Sequence, residues 1–253
     1  MNNRCVFLFA FLLTILSAKA QEEKDSLSFA DTEQAYSFRA EKFILPAAMI
    51  GVGAWAVDNG FLVKEKGKLQ DKFQDWSGGH TTKIDDYLQY VPAAAELVLP
   101  YLGTNSKLNE LDHWIVRANG YAIMLGLTWG TKKLVSEWRP DGSDEDSFFS
   151  GHTAKSFLAA ELIRIDYGGW YGVGAYTVAC GVGALRLYNN RHWLNDVLAG
   201  AGVGILSARM AYWLLPIEKK ILKINKASTN VVAMPYYSNY GGVKFGASVA
   251  IGF

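Results

Sequence analysis

From residue 87 to residue 216 the chain alternates apolar runs of helical length with short polar breaks, and few folds other than a helical bundle accommodate that alternation. The runs are 87–103, 114–137, 152–166, 170–187 and 195–216, preceded by a shorter apolar run at 43–57 and a lysine-rich polar connection over 58–86. Glycine and alanine are frequent in them, notably over 168–183 and 200–204, and small residues let helices approach closely, as in membrane packing. The 170–187 run carries no charge before Arg186, and 197–217 carries only Arg209, whereas 157–165 is amphipathic through Glu161 and Arg164. The expected fold is all-α, a membrane-associated helical bundle at least partly embedded in a bilayer. A soluble, tightly packed helical domain is the alternative.

The rest of the chain differs in character. At the N-terminus, Arg4, the apolar run 6–16 interrupted only by Thr14, and Ala18-Lys19-Ala20 have the layout of a secretory signal over 1–20, with an uncleaved anchor helix as the alternative. Residues 21–86 are expected as a lead-in with one short apolar helix and a polar loop, 87–217 as the helical bundle, and 218–253 as a tail. In that tail Val243, Phe245, Ala247, Val249, Ile251 and Phe253 alternate with small or polar residues, which is strand periodicity. A β-hairpin with 231–237 follows, and one hairpin cannot close a membrane barrel. Cys5 leaves with the signal, so Cys180 stands alone and reads as a small core residue. A net charge of +1 gives no electrostatic case for nucleic acid.

Chemistry-bearing residues cluster in the breaks. Lys132 and Arg139, seven apart and so on one helix face over two turns, lie at the end of one run, where Pro140 is expected to stop the helix. Ser150-Gly151-His152 opens the next run, where free N–H groups and a hydroxyl can receive an anion. A near copy, Ser77-Gly78-Gly79-His80, is read as a decoy because it precedes the basic helix and no clear helix follows it. Arg186 closes a third run, and His192 with Asp196 opens the fourth; a carboxylate one turn from an imidazole can hold its Nδ1–H and leave Nε2 free. Taken singly, each cluster is more ordinarily a solvated or capped helix end. In an up-down-up-down bundle with short connections, however, all these ends fall on one face. Such a pocket suits a tetrahedral oxyanion.

The order Lys-x6-Arg-Pro, Ser-Gly-His and Arg-x5-His-x3-Asp, from Lys132 to Asp196, resembles the type 2 phosphatidic acid phosphatase (PAP2) superfamily, which also includes bacterial acid phosphatases and vanadium haloperoxidases. Phe149 stands where that family usually has Pro, and Leu185 where it usually has Ser. The resemblance implies metal-independent hydrolysis of a phosphate ester without a cofactor. His192 would attack phosphorus and Asp196 orient it, while His152 protonates the leaving oxygen. Lys132, Arg139, Ser150, Gly151 and Arg186 would hold the phosphoryl oxygens. It further implies a phosphorylated lipid of the bacterial envelope as substrate, lipid A phosphate foremost. Lys219, Lys220, Lys223 and Lys226 follow the last helical run on the side opposite the site, and by the positive-inside rule a membrane site facing the periplasm is expected. A haloperoxidase that binds vanadate in the same pocket, or an envelope protein with a relic site, would carry the same motifs.

Overall fold

The computed structural model describes residues 39–102, 104 and 106–221, and the backbone of 230–238 and 244–252. The expected signal segment and most of the lead-in before α1 lie outside these residues. The helices are α1 (Glu41–Asp58), α2 (Gly60–Ser77), α3 (Ile84–Leu88), α4 (Val91–Val98), α5 (Glu110–Leu134), α6 (Gly151–Tyr167), α7 (Gly169–Tyr188) and α8 (Leu194–Ile221), with a 3-10 turn at Leu99–Leu102. The body from 39 to 221 is thus all-α, as expected, apart from an isolated bridge between Glu137 and Asp146. Beyond it, the backbone of β1 (Asn230–Ser238) and β2 (Lys244–Gly252) pairs antiparallel. Their side chains and the residues joining them lie outside the described set.

α6 and α8 form the centre. Leu158, Leu162, Val203, Ala208 and Ala211 share one core cluster with Val116 and Met124 of α5. Phe157, Ala160 and Ile205 share another with Ala175 and Ala179 of α7. Glycine makes the closeness possible: a Cβ on Gly204 would stand 2.3 Å from the Ala154 carbonyl oxygen, and one on Gly200 would stand 2.6 Å from that of Ser150. α1 packs antiparallel along α8. Gly53 lies against Ala199 near the start of α8, and Arg209 hydrogen-bonds the Lys42 carbonyl near the start of α1.

Two stretches differ from expectation. The polar connection 58–86 is helical over α2, capped by the Asn59 side chain on Leu62 N–H at 3.1 Å and stopped by Gly78 in the left-handed region. Its inward positions, Lys66, Gln70, Gln74 and Ser77, recur at helical spacing but are polar, so no apolar stripe announces the helix. α1 and α2 meet at a bend of 94°. The 87–103 run is not one helix either; it breaks into α3, α4 and the 3-10 turn, with Pro92 opening α4 and Pro100 within the turn.

On the face reached by the C-terminal end of α6, Ser106 Oγ and Asp166 Oδ2 both meet His113 Nε2, at 2.7 and 3.2 Å. A hydrolytic Ser-His-Asp relay needs its two partners on opposite ring nitrogens. This cluster therefore braces the bundle instead, beside the buried Arg117–Glu96 pair.

Candidate active site

α5 ends at Leu134, five residues before Arg139, so Lys132 and Arg139 do not share a helix face as expected. Residues 135–147 instead fold back as a clip. In it Glu137 N–H donates to Glu145 O at 2.9 Å, Arg139 N–H to Asp144 O at 3.0 Å and Ser147 N–H to Glu137 O at 3.0 Å. The clip returns the chain to the helix end: the Lys132 ammonium hydrogen-bonds the Asp146 carbonyl, and Arg139 Nε lies 2.8 Å from Asp144 Oδ1.

Ser150 is the N-cap of α6 and is fully buried. Its Oγ accepts from the Thr153 hydroxyl at 2.9 Å and from Thr153 N–H at 3.4 Å, and its own O–H remains a donor. Its N–H donates to the Asp196 carbonyl at 3.1 Å, joining this helix start to that of α8. Gly151 and His152 present first-turn N–H groups that no intrahelical carbonyl reaches. The Ser77-Gly78 copy does the reverse: it ends a helix, and His80 is exposed.

Arg186, in the last turn of α7, is buried; its Nη1 donates to Asp85 Oδ2 at 2.6 Å, and its Nε–H has no acceptor among the described residues. His192 is also buried, with Nδ1 3.3 Å from Asp196 Oδ2. That oxygen further accepts the Ser147 hydroxyl and Trp193 N–H. Facing a carboxylate, Nδ1 carries the ring proton and Nε2 keeps its lone pair. Burial holds the His192 pKa well below the usual histidine value, and Arg186, Arg139, Lys132 and His152 push it down further. Lys132, Arg139 and Arg186 can act on His192 in this way only because the helix ends and the clip converge. The structure brings together every residue that the motifs single out.

It also adds residues that sequence reasoning missed. Glu137 is buried, pairs with Lys66 of α2, and accepts from Asn195 Nδ2 at 3.1 and 3.2 Å; Asn195 also reaches Asp196 Oδ1 at 3.2 Å. α2 thereby supports the back of the His192–Asp196 pair, and its Gln70 holds the Leu187 carbonyl and Asn190 at 2.8 and 2.7 Å. Asp85 and Asp86 of α3 reach Arg186 and His152. The only sequence signal for these groups is charge beside apolar runs, which ordinarily marks a solvated surface. Among the described residues no group of three or more His, Cys, Asp or Glu is arranged to hold a metal ion.

Comparison with known proteins agrees with this geometry. Residues 126–220 match the model of the PAP2 superfamily. Over 142 residues, 54% of this chain, the sequence is 41% identical to a lipid A 1-phosphatase of Porphyromonas gingivalis, and the aligned part is 32% of that relative's length. Over 173 residues, 62% of this chain, it is 27% identical to the bacitracin transport permease protein BcrC of Bacillus licheniformis, covering 82% of it. No solved structure matches the chain. The motif order and the convergence of its residues at one end of the bundle agree with the match of residues 126–220 to the PAP2 superfamily.

Proposed function

We propose that the chain is a phosphoric monoester hydrolase acting on the phosphate of an envelope lipid through a phosphohistidine intermediate. The observation that supports this most strongly is a buried, neutral imidazole, His192, backed by Asp196 and set among Lys132, Arg139 and Arg186. A neutral nucleophile in a cationic pocket suits an anionic phosphoryl group and little else.

The steps follow from the positions. His192 Nε2 attacks phosphorus in line with the ester oxygen, the P–O bond breaks, and His152 gives its proton to the departing oxygen. Lys132, Arg139, Arg186, the Ser150 hydroxyl and Gly151 N–H hold the equatorial oxygens as charge develops. Asp196 holds the Nδ1–H, which stays on the ring, and stabilises the positive charge that develops on the imidazole. His152, now neutral, removes a proton from water; the water oxygen attacks phosphorus, the P–N bond breaks and phosphate leaves.

A lipid substrate fits the surface. α8 is long and apolar enough to cross a membrane, and the bent pair α1–α2 passes the same test together. Large apolar side chains stay exposed on the flanks, among them Ile44 and Trp55 of α1, Leu125 and Trp129 of α5, and Trp170 of α7. Such patches mark contact with a membrane or partner. Lys219 and Lys220 end α8 on the face opposite the site. Read by the positive-inside rule, lysines on that face support a periplasmic facing of the site. The P. gingivalis relative is a lipid A 1-phosphatase, so lipid A phosphate is the first substrate to try.

The test is phosphate release from a panel of lipid phosphates, including lipid A, by the purified chain and by His192→Ala. The expected outcome is release by the wild type and a loss of roughly 10⁴-fold or more in the variant. Comparable release by both would refute the reading.

A further inference from the structure

We propose that Asp86 is a positioning residue for the leaving-group proton, forming with His152 a second histidine–aspartate pair opposite the one formed by His192 and Asp196. The inference rests on the phosphatase reading above and extends the site to α3, a helix outside the matched segment 126–220.

His152 Nε2 lies 3.2 Å from Asp86 Oδ1, so that nitrogen is engaged and Nδ1 is the one left to meet the departing oxygen. The arrangement mirrors His192, whose Nδ1 is engaged and whose Nε2 is left free. The charged groups acting on His152 come from three elements: Arg186 of α7, Lys155 of α6, and Asp85 and Asp86 of α3. Burial and the two cations favour the neutral ring, while the bond to Asp86 favours the protonated one that a general acid requires. Asp85 is already committed, to Arg186 at 2.6 Å and to Asn189 Nδ2 at 2.8 Å.

Asp86 is not a chance surface contact, because its segment is fastened to the site. Asn189 donates to the Thr82 carbonyl at 2.8 Å and accepts Thr82 N–H at 2.8 Å. Lys155 reaches Gln89 Oε1 at 3.0 Å, just beyond α3. These ties fix α3 against the ends of α6 and α7, and Asp86 faces His152 as a consequence.

A proton on the leaving oxygen matters for an alkoxide and hardly at all for a stabilised phenolate, and that contrast supplies the test. kcat/KM, which reports P–O cleavage and not the later hydrolysis of the phosphohistidine, is measured for an alkyl phosphate and for p-nitrophenyl phosphate. With Asp86→Asn the alkyl ester is expected to lose roughly 10²-fold and the aryl ester only a few-fold. Asp86→Glu is expected to recover most of the loss, and Asp86→Asn added to His152→Gln to cost nothing further. Equal losses on both esters, or an additive double variant, would overturn the role of Asp86 while leaving the phosphatase reading intact. Absence of phosphate release by the wild type from either ester would instead overturn that reading, and this inference with it.

Discussion

Buried charge decides what the site can do. His192 is kept neutral by desolvation and by the cations around it, so no separate base is needed to free its Nε2 lone pair near neutral pH. Glu137 shows the opposite pressure: burial and the neighbouring Asp196 push its pKa up to about 7, against the pull of Lys66. Where the folded carboxyl still holds a proton that the unfolded chain has released, each rise in pH lowers the stability of the folded protein. The contribution of Glu137 is therefore complete below its ordinary value of 4.5 and is lost as pH rises through about 7. Glu137→Gln keeps the neutral shape and removes the titration. Its melting temperature is expected to fall less than that of the wild type between pH 5 and pH 8; identical slopes in the two proteins would show that Glu137 does not titrate in that window.

The helix ends carry the argument at the next scale, and there the sequence was most legible. Alternating apolar runs located α5 to α8 to within a few residues, because those helices bury faces against one another and need the periodicity. The Ser150 cap and the one-turn spacing of His192 and Asp196 are local and could be read directly. α2 could not, since it docks through Lys66, Gln70 and Gln74 on Glu137 and on the end of α7 with Asn190, between 71 and 120 residues away, and leaves no apolar stripe. Asp85, Asp86 and Glu137 were invisible for the same reason: their partners are distant in sequence and known only once the chain has folded. The α6–α8 contact also gives a sharp prediction. Gly204→Ala would drive a methyl group into the Ala154 carbonyl and the Leu158 backbone, and is expected to cost roughly 1–3 kcal/mol. Gly51→Ala, with open space around it, is the control that should leave thermal stability unchanged or slightly raised. Equal melting temperatures for the two variants would contradict the packing described.

Over the whole molecule, the helices sort the chain into two faces. α1 enters beside Arg209 and ends beside Ala199, its 18 residues covering about 27 Å. α5 begins and α6 ends on the face marked by Ser106, His113 and Asp166, and Lys219 near the end of α8 pairs with Asp112 there at 2.7 Å. The start of α1 and the end of α8 therefore share the face opposite the site. On the proposed periplasmic facing of the site, a cysteine placed at Ser143 in the clip is expected to react with an impermeant maleimide in intact spheroplasts. One placed at Ala40 is expected to react only after the membrane is opened. Labelling in the reverse order would place the site in the cytoplasm.

The central claim is that His192 is the group that takes the phosphoryl, and it can be read on the protein itself. The chain is mixed with a phosphate ester, quenched in alkali within milliseconds to preserve the acid-labile P–N bond, and mapped by mass spectrometry. The account predicts phosphate on the peptide containing His192, and none on the corresponding peptide of His192→Ala. Turnover without any adduct at His192, persisting in that variant, would contradict it.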